Sequence, residues 1–137
     1  NNIYKVKRGI NISYKNDGKN KYLIYGIENR IEQIIANLLD NAISFSDDNK
    51  DVIVQVSKSE DNKVYIKILD EGQGFKEKDT NKIFKRFYSN RPDKFGQHSG
   101  LGLNIVKNLV DLHNATIKAT NRQDKKGASM EIEFPKV

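Results

Sequence analysis

Val64-Tyr65-Ile66-Lys67-Ile68-Leu69-Asp70-Glu71-Gly72-Gln73-Gly74 is the stretch whose reading decides the fold. Val64, Ile66 and Ile68 recur with period two, the pattern of a strand with one face turned to a core. Asp70 continues that even-numbered series, so its carboxylate is aimed toward the same inward side. A buried carboxylate is costly unless something donates hydrogen bonds to it. Gly72 and Gly74 follow immediately and allow a tight turn with close backbone approach.

Upstream, Val52, Val54 and Val56 form a second period-two strand, and residues 59–63 read as the hairpin loop between the two. Before them the period changes to that of a helix. Ile27, Ile31, Ile34, Ile35, Leu38, Ala42 and Phe45 predict one over residues 28–45. Short strands are predicted at residues 4–7, 10–14 and 22–25, with a polar turn at 16–20. Downstream, a short helix is predicted at 79–87 and a mobile loop, containing Pro92 and Gly96, at 88–99. A second long helix is predicted over residues 100–113. Closing strands at 115–120 and 129–134 flank a turn at 124–127. Mixed strands and helices with hairpins favour an α+β two-layer sandwich over a doubly wound parallel sheet.

The 137 residues suit one domain, 1–137, and the composition is 36% hydrophobic and 31% charged, that of a globular chain. Apolar stretches are short and broken by charge, so no membrane-spanning helix is expected. The chain begins Asn1-Asn2 without an apolar run, and no signal peptide is read there. Cysteine is absent, which excludes disulfides and thiolate metal sites and suits a reducing cytoplasm. The net charge of +6 is spread over scattered lysines rather than a clustered patch, so nucleic acid is not expected as a partner.

Three segments carry candidate chemistry. Asn37 and Asn41 stand one helical turn apart, along one stripe beside the apolar face. Asn is a poor helix former, and two at this spacing fit either a pair of hydrogen-bonding amides or a polar edge where a carboxamide oxygen could ligate Mg²⁺. Asp70 fits either a turn-capping carboxylate or the acceptor for an amino group such as adenine N6. Gly100-Leu101-Gly102 precedes the second long helix, whose free N–H groups and positive dipole end could seat phosphates. The alternative there is a plain helix start with glycine hinges. No Gly-Lys-Ser/Thr follows, so it is not a P-loop.

In order and spacing, these segments resemble the catalytic and ATP-binding domain of bacterial sensor histidine kinases. Asn37-Leu38-Leu39-Asp40-Asn41-Ala42 is similar to the N box, and Asp70-Glu71-Gly72-Gln73-Gly74-Phe75 to the first glycine box. Ile83-Phe84-Lys85-Arg86-Phe87-Tyr88 is similar to the F box, Ser99-Gly100-Leu101-Gly102-Leu103 to the second glycine box, and Lys126-Gly127-Ala128-Ser129-Met130 to the terminal glycine motif. The resemblance runs from about residue 10 to 135. The strings at 41–46 (NAISFS) and 87–92 (FYSNRP) are similar to ChvG-type membrane sensor kinases.

The resemblance implies a Bergerat, or GHKL, two-layer sandwich: a mixed sheet with helices on one face and a mobile ATP lid at about 88–99. It implies ATP and Mg²⁺, with Asn41 as metal ligand and Asn37 beside the phosphates, these two being the catalytic pair. Asp70 would accept from adenine N6, Gly72, Gly74 and Phe75 would line the base pocket, and Ser99, Gly100, Leu101, Gly102 and Leu103 would meet the phosphates. Phe84 and Phe87 would anchor the lid and contact the domain presenting histidine, unless they simply pack a short helix, and Ser44 and Tyr88 would count among the cofactor-binding residues.

Three positions depart from the family pattern. Ser44 replaces a common lysine, leaving phosphate charge to Arg86 or Arg91. His98 replaces a glycine in the lid, and Asn114-Ala115 replaces a Gly-Gly pair. Neither His98 nor His113 sits in a phosphoacceptor context, and His113 reads as a cation placed to favour a helix C-terminus. The acceptor histidine is therefore expected on an upstream dimerisation and phosphotransfer domain, with a response regulator served by the full-length kinase. This chain by itself is expected to be monomeric and cytoplasmic, and its parent homodimeric in the bacterial inner membrane. The expected reaction is transfer of the ATP γ-phosphoryl group to histidine. The alternatives are a GHKL ATPase, disfavoured because Asn37 stands where such relatives carry glutamate, and a nucleotide-binding regulatory domain without catalysis.

Overall fold

A computed structural model describes residues 9–18, 22–76, 80–85 and 102–137. The expected strand at 4–7 and the expected loop at 88–99 lie outside them. Among the described residues the elements are β1 (Asn11–Asn16), α1 (Glu28–Phe45), β2 (Asp51–Lys58), β3 (Val64–Leu69), a short 3-10 helix (Thr80–Phe84), α2 (Gly102–Leu112), β4 (Thr116–Asn121) and β5 (Ala128–Phe134). The five strands form one sheet in the order β1-β2-β3-β5-β4, parallel between β1 and β2 and antiparallel elsewhere. The sheet is therefore mixed, with α1 as the crossover between its parallel pair.

Register explains why one face is buried. Val54 pairs with Ile68, Ile68 with Met130, and Met130 with Ala119, so a row of apolar side chains crosses four strands on one side. Ile68, Met130 and Ala119 are buried, as are Ile34, Leu38, Ala42, Val106 and Val110 on the two long helices. On the opposite face Lys67 pairs with Glu131, their charged ends 3.8 Å apart, and Lys63 approaches Glu133 at 3.6 Å. Such exposed pairs add little stability, but they make that face polar. The result is the two-layer α/β arrangement with helices on one face.

Two of the expected elements need correction. Residues 22–25 are not a strand. Tyr22 and Ile24 are half-buried while Leu23 and Tyr25 are exposed, so the alternation is real. A strand is defined by a partner, however, and β1 already forms the described sheet's edge beside β2. The short helix expected at 79–87 is a 3-10 helix over Thr80–Phe84 within the described residues. Its start is held by Thr80 Oγ1 donating to the carbonyl of Ala119 at 2.6 Å, and its end by Asn104 Nδ2 donating to that of Phe84 at 3.1 Å.

The helix ends are closed in different ways. α1 has no side-chain N-cap, since Ile27 occupies that position. The Ile27 N–H instead donates to His113 Nε2 at 3.1 Å, while His113 Nδ1 lies 2.7 Å from the Leu109 carbonyl oxygen. An acceptor at Nε2 and a donor at Nδ1 define a neutral ring. The expected role of His113 as a helix-end cation is therefore replaced by that of a neutral bridge from the end of α2 to the start of α1. After α2 the chain reverses through Asn114 (φ 56), and Ala115 N–H donates back to Val110 at 3.1 Å. Asn114 thus does the work of a C-terminal glycine, which accounts for its departure from the Gly-Gly pattern.

Candidate functional site

β3 delivers Asp70 to the rim of the core, where it is 3% exposed. Its Oδ1 accepts the N–H of Gly72 and the N–H of Ala128, each at 3.0 Å. Two donors to one oxygen offset much of the burial cost, so the turn-capping role foreseen for Asp70 is real. The Asp70 backbone is engaged as well: its N–H reaches Ala128 O at 3.0 Å, and its carbonyl accepts Arg122 Nη1 at 3.1 Å.

The glycine turn after Asp70 is tied down at several points. Ser46, fully buried just past α1, forms a bridge with Gly72, and its Oγ accepts the Glu71 N–H at 3.2 Å. Glu71 in turn accepts the Asp51 N–H at 2.9 Å and lies 3.5 Å from Lys125 Nζ. The Asp51 N–H, then Lys125, hold the Glu71 carboxyl below its ordinary pKa. Gly74 has φ +79, and Asn121 clamps the next residue by accepting the Phe75 N–H at 2.6 Å and donating to its carbonyl at 3.1 Å. Phe75 itself is 7% exposed and belongs to the core.

Behind this turn stands the β4–β5 connection. Arg122, its side chain 3% exposed, pairs through Nε and Nη2 with the Asp124 carboxylate at 3.0 and 2.8 Å. This forked bond holds Asp124 below its ordinary pKa and orients the guanidinium so that Nη1 meets Asp70. Gly127 (φ +144) packs directly onto the Asp70 carbonyl.

Asn37 and Asn41 lie on one stripe of α1, both half-buried, and among the described residues neither side-chain amide makes a hydrogen bond. Ser44 is buried one turn further on, at 8% exposure. Phe84 is 5% exposed, so core packing describes it. Gly102 opens α2 and is exposed, with Leu103 half-buried beside it. Arg86, Phe87, Tyr88, Arg91, His98, Ser99, Gly100 and Leu101 lie outside the described residues.

The described candidates therefore fall on four segments: α1 with its amide stripe, the carboxylate and glycines after β3, Phe84 on the 3-10 helix, and the start of α2. Ser46, Asn121 and Arg122 also shape the turn but were missed. Ser46 and Arg122 carry no periodic signal, and Asn121 sits in a plain strand end. Only the register Leu69–Ser129 brings the last two to Asp70 and Phe75.

Comparison with known proteins bears on the family and the fold. The family model described as histidine kinase-, DNA gyrase B-, and HSP90-like ATPase matches residues 26–137. Sensor protein ChvG of Agrobacterium fabrum is 36% identical over 128 residues, covering 88% of this chain and 21% of that protein. The chain thus spans about a fifth of the length of such curated relatives. The nucleotide-free catalytic domain of histidine kinase ThkA matches with a TM-score of 0.82 at 26% identity, over 98% of this chain and 84% of that one. Full-length ShkA, solved in complex with AMPPNP, matches with a TM-score of 0.80 at 25% identity, over 97% of this chain and 27% of that one.

Proposed function

The chain belongs to the histidine kinase-, DNA gyrase B-, and HSP90-like ATPase family as a sensor histidine kinase domain, and on that premise we propose that it binds Mg-ATP and passes the γ-phosphoryl group to a histidine on another domain of a longer kinase. The observation that carries this reading is Asp70, a carboxylate 3% exposed and oriented by two backbone N–H groups at the mouth of a glycine turn. A carboxylate fixed in this way is pre-organised to accept from an exocyclic amino group such as adenine N6. The match to a kinase solved with AMPPNP supports a nucleotide as the ligand.

The amide stripe of α1 would serve the phosphate end. Asn41 would offer one carboxamide oxygen to Mg²⁺, and Asn37 would orient phosphate oxygens. A single protein oxygen suits an ion that keeps most of its ligands from phosphate and water. When bound, Mg²⁺ supplies neutralisation of phosphate charge, which phosphoryl transfer needs. Backbone N–H groups at the start of α2 would add the positive end of the helix dipole, as Ser99 to Leu103 suggest by motif. Asn37 has no basic lone pair with which to take a proton from water, which favours transfer to a protein acceptor over hydrolysis.

The acceptor histidine would come from elsewhere. His113 is 9% exposed, with its two ring nitrogens engaged by Ile27 and Leu109, so it is not available for phosphorylation. On this reading residues 1–137 are one catalytic domain of a membrane sensor kinase, working with a dimerisation and phosphotransfer domain and, through it, a response regulator.

The test is to mix this chain with its own upstream histidine domain and γ-labelled ATP. Phosphohistidine on the partner is expected, lost in Asn41→Ala and Asp70→Asn. Tight ATP binding without phosphohistidine would sink the kinase reading and leave a regulatory nucleotide domain, whereas steady release of inorganic phosphate would indicate an ATPase.

A further inference from the structure

Asn121 ends β4, yet its side chain works on a different segment. Residues 73–76 form no strand, so their backbone groups need partners from outside a ladder. Asn121 supplies both at once, accepting the Phe75 N–H at 2.6 Å and donating to the Phe75 carbonyl at 3.1 Å. Only a carboxamide carries an uncharged donor and acceptor side by side in this way, so the side chain acts as one missing rung of sheet. The same Oδ1 lies 2.5 Å from where a Cβ on Gly74 would stand, and Gly74 holds φ +79. Asp70 and Ser46 secure the turn upstream, at Gly72. Asn121 secures its far side.

We propose that Asn121 is a positioning residue for the nucleotide site, fixing Gly74 and Phe75 in the backbone arrangement that leaves the glycine turn open to a base. The proposal rests on the nucleotide reading above. Asn121 does not touch the ligand; it acts through the Phe75 backbone, and the Phe75 ring, 7% exposed, carries that position into the core.

The test uses this chain as wild type, Asn121→Ala and Asn121→Asp. Three quantities are measured: affinity for Mg-ATP, affinity for Mg-tripolyphosphate (which lacks the base), and hydrogen exchange at the Phe75 amide. Asn121→Ala should lose Phe75 protection and bind ATP about tenfold more weakly, the scale of one or two lost hydrogen bonds. Its tripolyphosphate affinity should stay that of wild type. Asn121→Asp keeps the acceptor but sets a charge against the Phe75 carbonyl, so it should keep amide protection and still lose ATP affinity. It decides the matter if the alanine variant does not fold. ATP affinity unchanged in the variants, or ATP and tripolyphosphate weakened by the same factor, would overturn the proposal. A wild-type chain that binds no ATP would overturn the nucleotide reading as well, which separates the two failures.

Discussion

Gly127 and Asp70 face each other across the β3–β5 pair so closely that a Cβ on Gly127 would fall on the Asp70 carbonyl oxygen and within 2.9 Å of its carbonyl carbon. Both obstacles are backbone, which cannot swing aside as a flexible side chain would. Gly127→Ala must therefore push β5, whose Ala128 N–H holds the Asp70 carboxylate, away from Asp70. Gly127→Ala is expected to cost about 2–4 kcal/mol in urea denaturation, from overpacking plus a strained φ of +144. Gly18→Ala is the control. Its φ of +78 is strained too, but among the described residues nothing lies within 4 Å of an added Cβ, so about 1 kcal/mol is expected. Equal losses at the two sites would show that φ alone, not the approach to Asp70, accounts for Gly127.

Gly102 presents the opposite case. It opens α2, no positive φ requires glycine there, and among the described residues an added Cβ would meet nothing within 4 Å. The described fold has no need of a glycine at that position, and alanine is the better helix former by up to about 1 kcal/mol. Gly102→Ala should leave the melting temperature unchanged or raise it. If phosphates approach the N–H groups at this helix start, the methyl group will obstruct them, and ATP affinity should fall about tenfold by calorimetry. A variant that binds ATP as tightly as wild type would remove Gly102 from the phosphate seat.

Glu71 gives the site a dependence on acid. Its carboxyl is held below the ordinary 4.5 first by the Asp51 N–H and then by Lys125. A folded-state pKa below the unfolded one means stabilisation that is present in full above about 4.5 and lost as pH falls through the lowered folded value. Glu71→Gln can still accept from Asp51 but cannot attract Lys125. At neutral pH it should be less stable than wild type, and the gap should close as the medium is acidified below the folded pKa. Asp61 and Asp124 are also lowered, so the slope of wild type alone is a sum. The difference between wild type and Glu71→Gln isolates one carboxyl. A gap that persists unchanged in acid would assign the loss to packing instead.

How much of this was legible in the sequence differs from residue to residue. α1 was readable to its last residue because apolar positions from Ile27 to Phe45 keep helical spacing, a signal local in the chain. The inward aim of Asp70 was readable too, since strand alternation carries from Val64 to the strand's end. Residues 22–25 misled for the converse reason: alternation reports burial, but strand formation needs a neighbour that lies elsewhere in the chain. Asn121, Arg122 and Ser46 were illegible on the same ground. Each acts across 25 to 52 positions, on Phe75, the Asp70 carbonyl and the Glu71 N–H. Only the sheet register and the crossover of α1 bring them there. The candidate motifs were local; the parts that hold them still were not.

His113 shows how one buried ring can replace two conventional caps. The N-cap position of α1 is held by Ile27, which has no side chain able to accept a hydrogen bond, and the Ile27 N–H donates to His113 Nε2. The other ring nitrogen satisfies the Leu109 carbonyl in the last turn of α2. The packing is close, for a Cβ on Gly26 would lie 2.9 Å from the His113 ring. The bond pattern requires the tautomer with hydrogen on Nδ1, which nitrogen-15 spectra of the ring would identify directly. His113→Ala removes both bonds and the ring's volume, so a loss of about 2–3 kcal/mol is expected. His113→Lys discriminates between roles: a cation would favour the α2 dipole but offers no acceptor to Ile27. If the dipole dominated, lysine would preserve stability; because the bridge dominates, lysine should fare no better than alanine.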